Sequence, residues 1–292
     1  MKNNEVYEII TKKIIEQLQA GIIPWDKPWT GTPYGAFNRI SKQSYSLLNQ
    51  ILLKHSGEYA TFKQWVDCGG KIKKGAKSEF VVFWKQYQKK ETTIDEDGIE
   101  IETVKNIPVL RYISVFHISQ VEGVEPLKIG LRENIKDMTG DEIIKTYVKR
   151  EGIKFETVKS DQAYYSMKSD SIHLPLFEQF KSAAEYYSTA FHELTHSTMT
   201  ANRCNRKNEN ATVAAFGSED YSKEELIAEI GAANLMNIAK IETASTFKNS
   251  VGYIQGWLRA LQNDNRLIVS ASSAAQKATN YILYGAEALQ NE

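Results

Sequence analysis

The 292-residue sequence has few cysteines and no long hydrophobic run. Its two cysteines, Cys68 and Cys204, are far apart and belong to no CxxC pair, which argues against a disulfide framework and against a zinc finger. No apolar stretch approaches the length of a membrane span, and the N-terminus lacks the apolar core of a signal peptide. We therefore expect a protein of the reduced cytoplasm that has no membrane partner.

The sequence also lacks a net charge, because 36 Lys and Arg residues balance 36 Asp and Glu residues. The whole-chain balance gives no sign of a nucleic acid or an acidic membrane as partner. The distribution is uneven, however, since the segment 39–90 has eleven basic residues and three acidic ones. Such an asymmetry predicts a binding site for a polyanion in the first half of the chain.

The length and the periodicity of apolar residues favour two domains, which we place at 1–125 and 126–292. The first half combines an amphipathic helix, with apolar residues at helical spacing from Val6 to Leu18, and two β-rich stretches at 79–87 and 109–121, separated by an acidic excursion. The second half has short strands near 154–159 and 171–174 and is then helical near 182–196, 222–240, 246–261 and 271–284. The predicted fold class is α+β: a mixed N-terminal domain, then a mostly helical domain with a small sheet.

The motif HELTH at 192–196 carries the clearest chemical signal. His192 and His196 are four residues apart, so a helix places both imidazoles on one face, as two ligands of one tetrahedral zinc require. Glu193 lies beside the metal and is the predicted general base of a metallopeptidase. The competing explanation is a chance HExxH on a charged helix, which the carboxylates downstream make less favourable.

A catalytic zinc needs a third protein ligand, and EELIAE offers Glu225 and Glu229 one helical turn apart. We predict that Glu225 binds the metal and that Glu229 accepts a hydrogen bond from a ligand histidine, which fixes its tautomer. In the alternative, Ser222 and Glu225 form a capping box, and Glu229 binds the metal. We expect one Zn²⁺ per chain, and other divalent metals suit the same ligands.

The first half interleaves aromatic and basic residues, as single-stranded nucleic acid sites do. The predicted DNA-binding residues are Trp25, Lys27, Trp29, Trp65, Lys71, Lys73, Lys74 and Lys77. The competing explanation is that such aromatic residues belong to the core and that the lysines only solvate a hairpin.

Several motifs, taken in order, resemble one known family. AGIIPWDKPW, YSLLNQILL, TFKQW, GGKIKKG and FHISQVEG resemble the N-terminal single-stranded-DNA-binding domain of ArdC antirestriction proteins, which also begins plasmid TraC-type primases. YYSMKSDSIHLP, HELTH, EELIAE and VGYIQGWLRALQNDNR resemble the zincin-like metallopeptidase domain that follows it in ArdC. The resemblance spans nearly the whole chain.

This resemblance implies an antirestriction protein of a conjugative or other mobile element that binds single-stranded DNA and acts on an unidentified protein or peptide. By motif position it implies Glu193 as the catalytic glutamate, and the likeness of ExxAE to ExxAD of gluzincins supports Glu225 as ligand. Zincins bind substrate along a sheet edge, for which 171–175 is the expected segment. Two alternatives stay open: a DNA-coating protein with a structural or vestigial metal site, and a metallopeptidase whose N-terminal domain recruits protein.

Overall fold

The computed structural model describes residues 3–26, 35–94, 100–127, 138–206, 219–242 and 251–289. Its helices are α1 (Asn3–Gln19), α2 (Leu47–Leu52), α3 (Phe62–Asp67), α4 (Gly140–Glu151), α5 (Ala183–Ser197), α6 (Glu219–Ile238), α7 (Val251–Asn263) and α8 (Leu267–Tyr284). Its strands are β1 (Ala36–Asn38), β2 (Gly57–Ala60), β3 (Lys71–Ile72), β4 (Glu79–Ile94), β5 (Glu100–His117), β6 (Val121–Glu122), β7 (Lys154–Val158), β8 (Tyr164–Ser166) and β9 (Ser171–Pro175). This arrangement confirms the predicted α+β class. In the described part of the chain, no helix has both the length and the apolar character needed to cross a membrane.

The predicted N-terminal helix is α1, and its apolar residues form one buried stripe. Val6, Ile10, Ile14 and Leu18 recur every four residues and are all buried, as one face of a helix requires. The helix ends where Gly21 adopts a positive φ of 75° and the amide of Ile22 donates to the carbonyl of Gln17. This glycine cap turns the chain toward the segment that contains Trp25.

The N-terminal sheet has the strand order β1-β2-β5-β4. Its main feature is the hairpin of β4 and β5, which pair from Glu79 opposite Val115 to Ile94 opposite Glu100. The acidic segment that we predicted as an excursion between two shorter strands therefore continues the ladder on both sides of residues 95–99, which lie outside the described residues. At the described end of this segment, the side chains of residues 103–106 are exposed.

Two consecutive amide side chains of α2 form hydrogen bonds with the two edge strands of this sheet. Asn49 accepts from the amide of Val82 at 2.8 Å and donates to its carbonyl at 2.9 Å. Gln50 makes the same pair of bonds with Ala36, at 2.7 and 2.8 Å. Both side chains are buried, so they satisfy backbone groups of the edge strands β4 and β1 that water does not reach.

The second sheet has the strand order β7-β9-β8, with β7 parallel and β8 antiparallel to β9. The segment 171–175, which we expected at the sheet edge, is the central strand, and that expectation is wrong because β9 pairs on both sides. The free edges belong to β7 and β8. Strand β8 and helix α4 were not predicted, although Thr139 and Glu142 form a capping box at the start of α4.

The two halves of the chain share one hydrophobic core. Buried residues of α1, α2 and the β4–β5 hairpin form a single cluster with residues of α6, α7 and α8. Trp25 packs edge-on against Trp257 of α7 with ring centroids 5.1 Å apart. A second cluster joins α4, the second sheet, α5, α6 and α8. Helix α6 belongs to both clusters, so it links the N-terminal sheet to the C-terminal helices.

We predict that Asn49→Ala destabilises the protein by about 2–5 kcal/mol, because it leaves the buried amide and carbonyl of Val82 without partners. Urea unfolding followed by circular dichroism measures the change. The matched control is Gln86→Ala, an exposed amide on β4, for which we expect less than about 0.5 kcal/mol. Equal effects of the two substitutions would contradict a stabilising role for the hydrogen bonds between Asn49 and Val82.

Candidate metal centre

Helix α5 places the two histidines of HELTH side by side. The helix begins at a cap in which the Ser182 hydroxyl accepts from the amide of Glu185 at 3.2 Å. One turn of helix then separates His192 from His196, and their Nε2 atoms lie 3.0 Å apart. The adjacent Glu193 is buried, with only 7% of its surface exposed.

Helix α6 brings a carboxylate to the same point. Glu225 Oε2 lies 3.5 Å from His192 Nε2, and Glu225 Oε1 lies 3.4 Å from His196 Nε2. Ligands of a tetrahedral ion with bonds of about 2.1 Å are about 3.4 Å from one another, so these three groups fit a divalent metal. Among the described residues, His192, His196 and Glu225 form the cluster of side chains able to hold a metal ion.

The start of α6 argues against the alternative in which Ser222 caps the helix. The helix begins at Glu219, so Ser222 lies inside its first turns and not at an N-terminal cap. Glu229 instead reaches the other side of His192, where its Oε1 lies 3.5 Å from Nδ1. The geometry therefore favours Glu225 as the ligand and Glu229 as the carboxylate behind a ligand histidine.

A second carboxylate, which sequence reasoning missed, lies behind His196. Glu224 Oε1 is 3.4 Å from His196 Nδ1, and Arg206 donates to Glu224 at 2.6 and 3.2 Å. Each ligand histidine thus faces a carboxylate through Nδ1, which orients the ring and leaves Nε2 for the metal. The signal in the sequence is the doublet Glu224-Glu225 at the start of EELIAE.

Electrostatic interactions among these groups are strong because the site is largely shielded from water, with 18% of the His192 side chain and 12% of the His196 side chain exposed. Burial alone would lower the pKa of His196, but the carboxylates of Glu224 and Glu225 outweigh this effect and raise the pKa to about 10. Burial would raise the pKa of Glu225, yet its hydrogen bonds to both imidazoles lower it. The site therefore concentrates negative charge around two imidazoles, an environment that attracts cations, and a bound metal ion would displace the proton that His196 holds in its absence.

The N-terminal half contributes to this environment. Burial is the largest cause of the raised pKa of Glu229, and the negative charges of Glu225 and Asp26 act in the same direction. Asp26 follows Trp25, which packs on α7. The segment after α1 therefore lies close enough to the metal centre to influence its electrostatics.

Close packing of α6 against α5 sets the position of Glu225. A Cβ atom at Gly231 would lie 2.7 Å from both Cγ2 and Oγ1 of Thr195, so only glycine fits here. Thr195 is fully buried within HELTH, and its hydroxyl donates to the carbonyl of Phe191 at 2.8 Å. The two helices that would supply the ligands are therefore in close contact at Gly231 and Thr195.

The predicted DNA-binding residues are placed in three different ways. Lys27 and Trp29 lie outside the described residues. Lys71, Lys73, Lys74 and Lys77 are exposed on the segment 69–78, here called the basic loop. Trp25 and Trp65 are 2% and 0% exposed, so neither indole offers a face to a base, and their prediction as stacking residues is wrong. Trp65 instead donates to the carbonyl of Phe116 at 2.9 Å.

We predict that Gly231→Ala weakens metal binding at least about tenfold, because the added methyl group forces α6 away from α5 and displaces Glu225. Competition with a fluorescent zinc chelator measures the affinity. The control is Gly256→Ala in α7, where an added Cβ meets nothing within 4 Å. The control should keep wild-type affinity, and a Gly231→Ala variant that does the same would contradict the packing constraint.

Two family models cover most of the chain. Residues 4–116 match the N-terminal domain of the anti-restriction factor ArdC, and residues 142–274 match a zincin-like metallopeptidase. Among solved structures, the metal-free ArdC antirestriction protein of plasmid R388 is 30% identical, covers 98% of each chain and superposes with a TM-score of 0.71. The Mn(II)-bound structure of ArdC from the same plasmid is 29% identical with the same TM-score, over 98% of this chain and 99% of that one.

Two curated relatives extend the comparison. DNA primase TraC of Escherichia coli is 32% identical over 95% of this chain, which spans only 20% of the primase. The uncharacterized protein y4eC of Sinorhizobium fredii (strain NBRC 101917 / NGR234) is 26% identical over 95% of this chain and 91% of its own length. Both domains match family models, the fold is shared with ArdC of R388 over 98% of the chain, and three side chains are placed to hold a metal ion. This chain therefore belongs to the ArdC family of antirestriction proteins.

Proposed function

We propose that this protein protects DNA of a mobile genetic element from restriction by binding single-stranded DNA without sequence specificity and by acting as a zinc-dependent peptidase. The observation that carries this proposal is the convergence of His192, His196 and Glu225 beside Glu193 in a chain of the ArdC family. That ArdC from R388 has a Mn(II)-bound structure supports a divalent metal for this chain as well. Because the chain spans a fifth of TraC, priming activity is not part of the proposal.

The protein's own residues have distinct tasks in this chemistry. His192, His196 and Glu225 would hold the metal, while Glu229 and Glu224 orient the two imidazoles. A bound zinc would supply Lewis acidity to a peptide carbonyl and acidify a water molecule. Glu193, which is buried beside the histidines, accepts a proton from the attacking water and delivers it to the leaving nitrogen.

The free edge of the second sheet offers a place for a peptide substrate. Strand β8 is an edge strand that packs against α5, the helix that holds both histidines. Within the described residues, no further strand pairs with its outer side. A peptide that adds a strand here would lie along the metal helix, so β8 takes the role that we expected for 171–175.

The basic loop supports the DNA-binding part of the proposal. Strands β3 and β6 pair at its base, and the carbonyls of Gln120 and Ser119 accept from the amide and the ammonium of Lys73, at 2.9 and 2.8 Å. Gly75 has a positive φ of 85°, which allows the turn between Lys74 and Lys77. The loop is thus a defined structure that exposes cations, as contacts to phosphate require.

We predict that Glu193→Gln retains one metal ion per chain, because all three ligands remain, but lowers peptidase activity about 10²–10⁴-fold. Elemental analysis and cleavage of an unstructured test protein measure these two properties. The control Glu185→Gln makes the same chemical change on the same helix, at a capping position where glutamine also serves.

The same two variants test the biological role. The measurement is the efficiency with which unmodified DNA is transferred into a host that has a restriction endonuclease. If proteolysis is required, Glu193→Gln loses protection and Glu185→Gln keeps it. Unchanged protection by Glu193→Gln would contradict the catalytic part of the proposal and favour simple coating of the DNA.

We also predict that Lys74→Ala with Lys77→Ala weakens binding to a fluorescent oligothymidine and reduces the magnitude of its salt slope by about 1.4, or about 0.7 for each phosphate that is no longer neutralised. Fluorescence anisotropy across a salt series measures the slope. The control is Lys149→Ala with Lys168→Ala, two exposed lysines of the C-terminal half. If both double variants alter the slope equally, the effect reflects net charge and not a role of the basic loop.

A further inference from the structure

Burial removes Trp25 and Trp65 from the base-stacking residues that the sequence suggested, and Trp29 lies outside the described residues. Large aromatic side chains are exposed elsewhere, on the β4–β5 hairpin. Phe83 is 44% exposed, Trp84 51% and Tyr87 37%. Side chains alternate between the two faces of a strand pair, so Phe83 and Tyr87 share one face while Trp84 lies on the other.

The face with Phe83 and Tyr87 is also strongly basic. Residues directly opposite one another share a face, which adds Arg111 opposite Phe83 and Lys105 opposite Lys89. We call this set the basic hairpin face; it comprises Phe83, Lys85, Tyr87 and Lys89 of β4 and Lys105, Ile107, Val109 and Arg111 of β5. The set contains four cations and no carboxylate.

The opposite face of the same hairpin has a different composition. Over the same length it presents Trp84, Gln86, Gln88 and Lys90 of β4 and Val104, Asn106, Pro108 and Leu110 of β5. Only one of these side chains is a cation. The basic hairpin face itself ends at Glu91, whose carboxylate lies 2.9 Å from Lys89 Nζ. The concentration of positive charge is therefore a property of one face and not of the hairpin as a whole.

Cations and aromatic rings are in contact on the basic hairpin face. Lys85 Nζ lies 5.2 Å from the centre of the Tyr87 ring, and the Arg111 guanidinium carbon lies 5.4 Å from it. Arg111 also donates to the Tyr87 hydroxyl at 3.2 Å. A phosphate drawn to these cations would lie beside exposed rings on which bases can stack, with Phe83 and Tyr87 about 13 Å apart along the strand.

From this arrangement we infer that the basic hairpin face is a surface that binds single-stranded DNA, with Phe83 and Tyr87 as stacking residues and Lys85, Lys89, Lys105 and Arg111 as phosphate contacts. The inference rests on the proposed function and adds these DNA contacts to those of the basic loop. Charge complementarity favours a nucleic acid over an apolar partner, because four cations would be costly to bury in an interface that offers them no anions.

The test compares three proteins in binding to fluorescein-labelled oligothymidine: wild type, Phe83→Ala with Tyr87→Ala, and the opposite-face control Trp84→Ala. Loss of the stacking rings should weaken binding at least about tenfold, whereas the control should stay within about twofold of wild type. Thermal unfolding of all three confirms that each is folded. A charge variant that combines Lys85→Glu and Lys89→Glu repeats the test without removing an apolar side chain. Its control is Lys90→Glu on the opposite face.

The outcomes separate this inference from the proposed function. If wild type fails to bind, single-stranded DNA binding itself is wrong. If wild type binds and both basic-face variants bind equally well, the DNA lies elsewhere and only the hairpin inference is overturned. If these variants keep their affinity for oligothymidine but change the molar mass measured by sedimentation, the face is an interface between copies of the chain. That result also overturns the inference.

Discussion

The contact between Gly231 and Thr195 is the constraint on which the metal centre depends. The two proposed histidine ligands lie on α5 and the proposed carboxylate ligand Glu225 lies on α6, so they come from separate parts of the chain. A tetrahedral ion tolerates little variation in the spacing of its ligands, so the two helices must pack in one register. The absent side chain at Gly231 permits that register, and the carboxylates behind each histidine then fix the rings.

Helix α6 connects this centre to the rest of the molecule. Leu226, Ile227 and Ile230 pack with the N-terminal helix and sheet, while Leu235 and Met236 pack with the second sheet and α5. A change in the N-terminal half that moves α1 or α7 therefore acts on the helix that holds Glu225. Trp25 and Asp26 strengthen this connection, since one packs on α7 and the other influences the charge of Glu229.

The sequence predicted those parts of the site that depend on local spacing. His192 and His196 lie four residues apart, so their common face follows from helical geometry alone, with Glu193 beside it. Sequence reasoning had to choose between the carboxylates of Glu225 and Glu229, and the start of α6 at Glu219 favours Glu225. Glu224 was missed because the spacing of a Glu-Glu doublet does not show that both carboxylates reach His196, Glu225 at Nε2 and Glu224 at Nδ1.

Features that depend on tertiary packing were beyond sequence reasoning. Trp25 and Trp65 lie in a segment whose mixture of aromatic and basic residues is typical of a stacking surface. Whether an indole is exposed, however, depends on what packs over it. The segment 171–175 has the pattern of a buried strand, yet strand order decides whether such a strand is central or at the edge. The hairpin aromatics were overlooked for the same reason, since their exposure follows from how far β4 and β5 extend beyond the core.

Anomalous diffraction from zinc-soaked crystals, recorded on both sides of the zinc absorption edge, tests the metal centre most directly. We expect one strong peak per chain within about 2.1 Å of His192 Nε2, His196 Nε2 and a Glu225 carboxylate oxygen. A peak coordinated by Glu229 in place of Glu225, or the absence of a peak between the two histidines, would contradict this assignment.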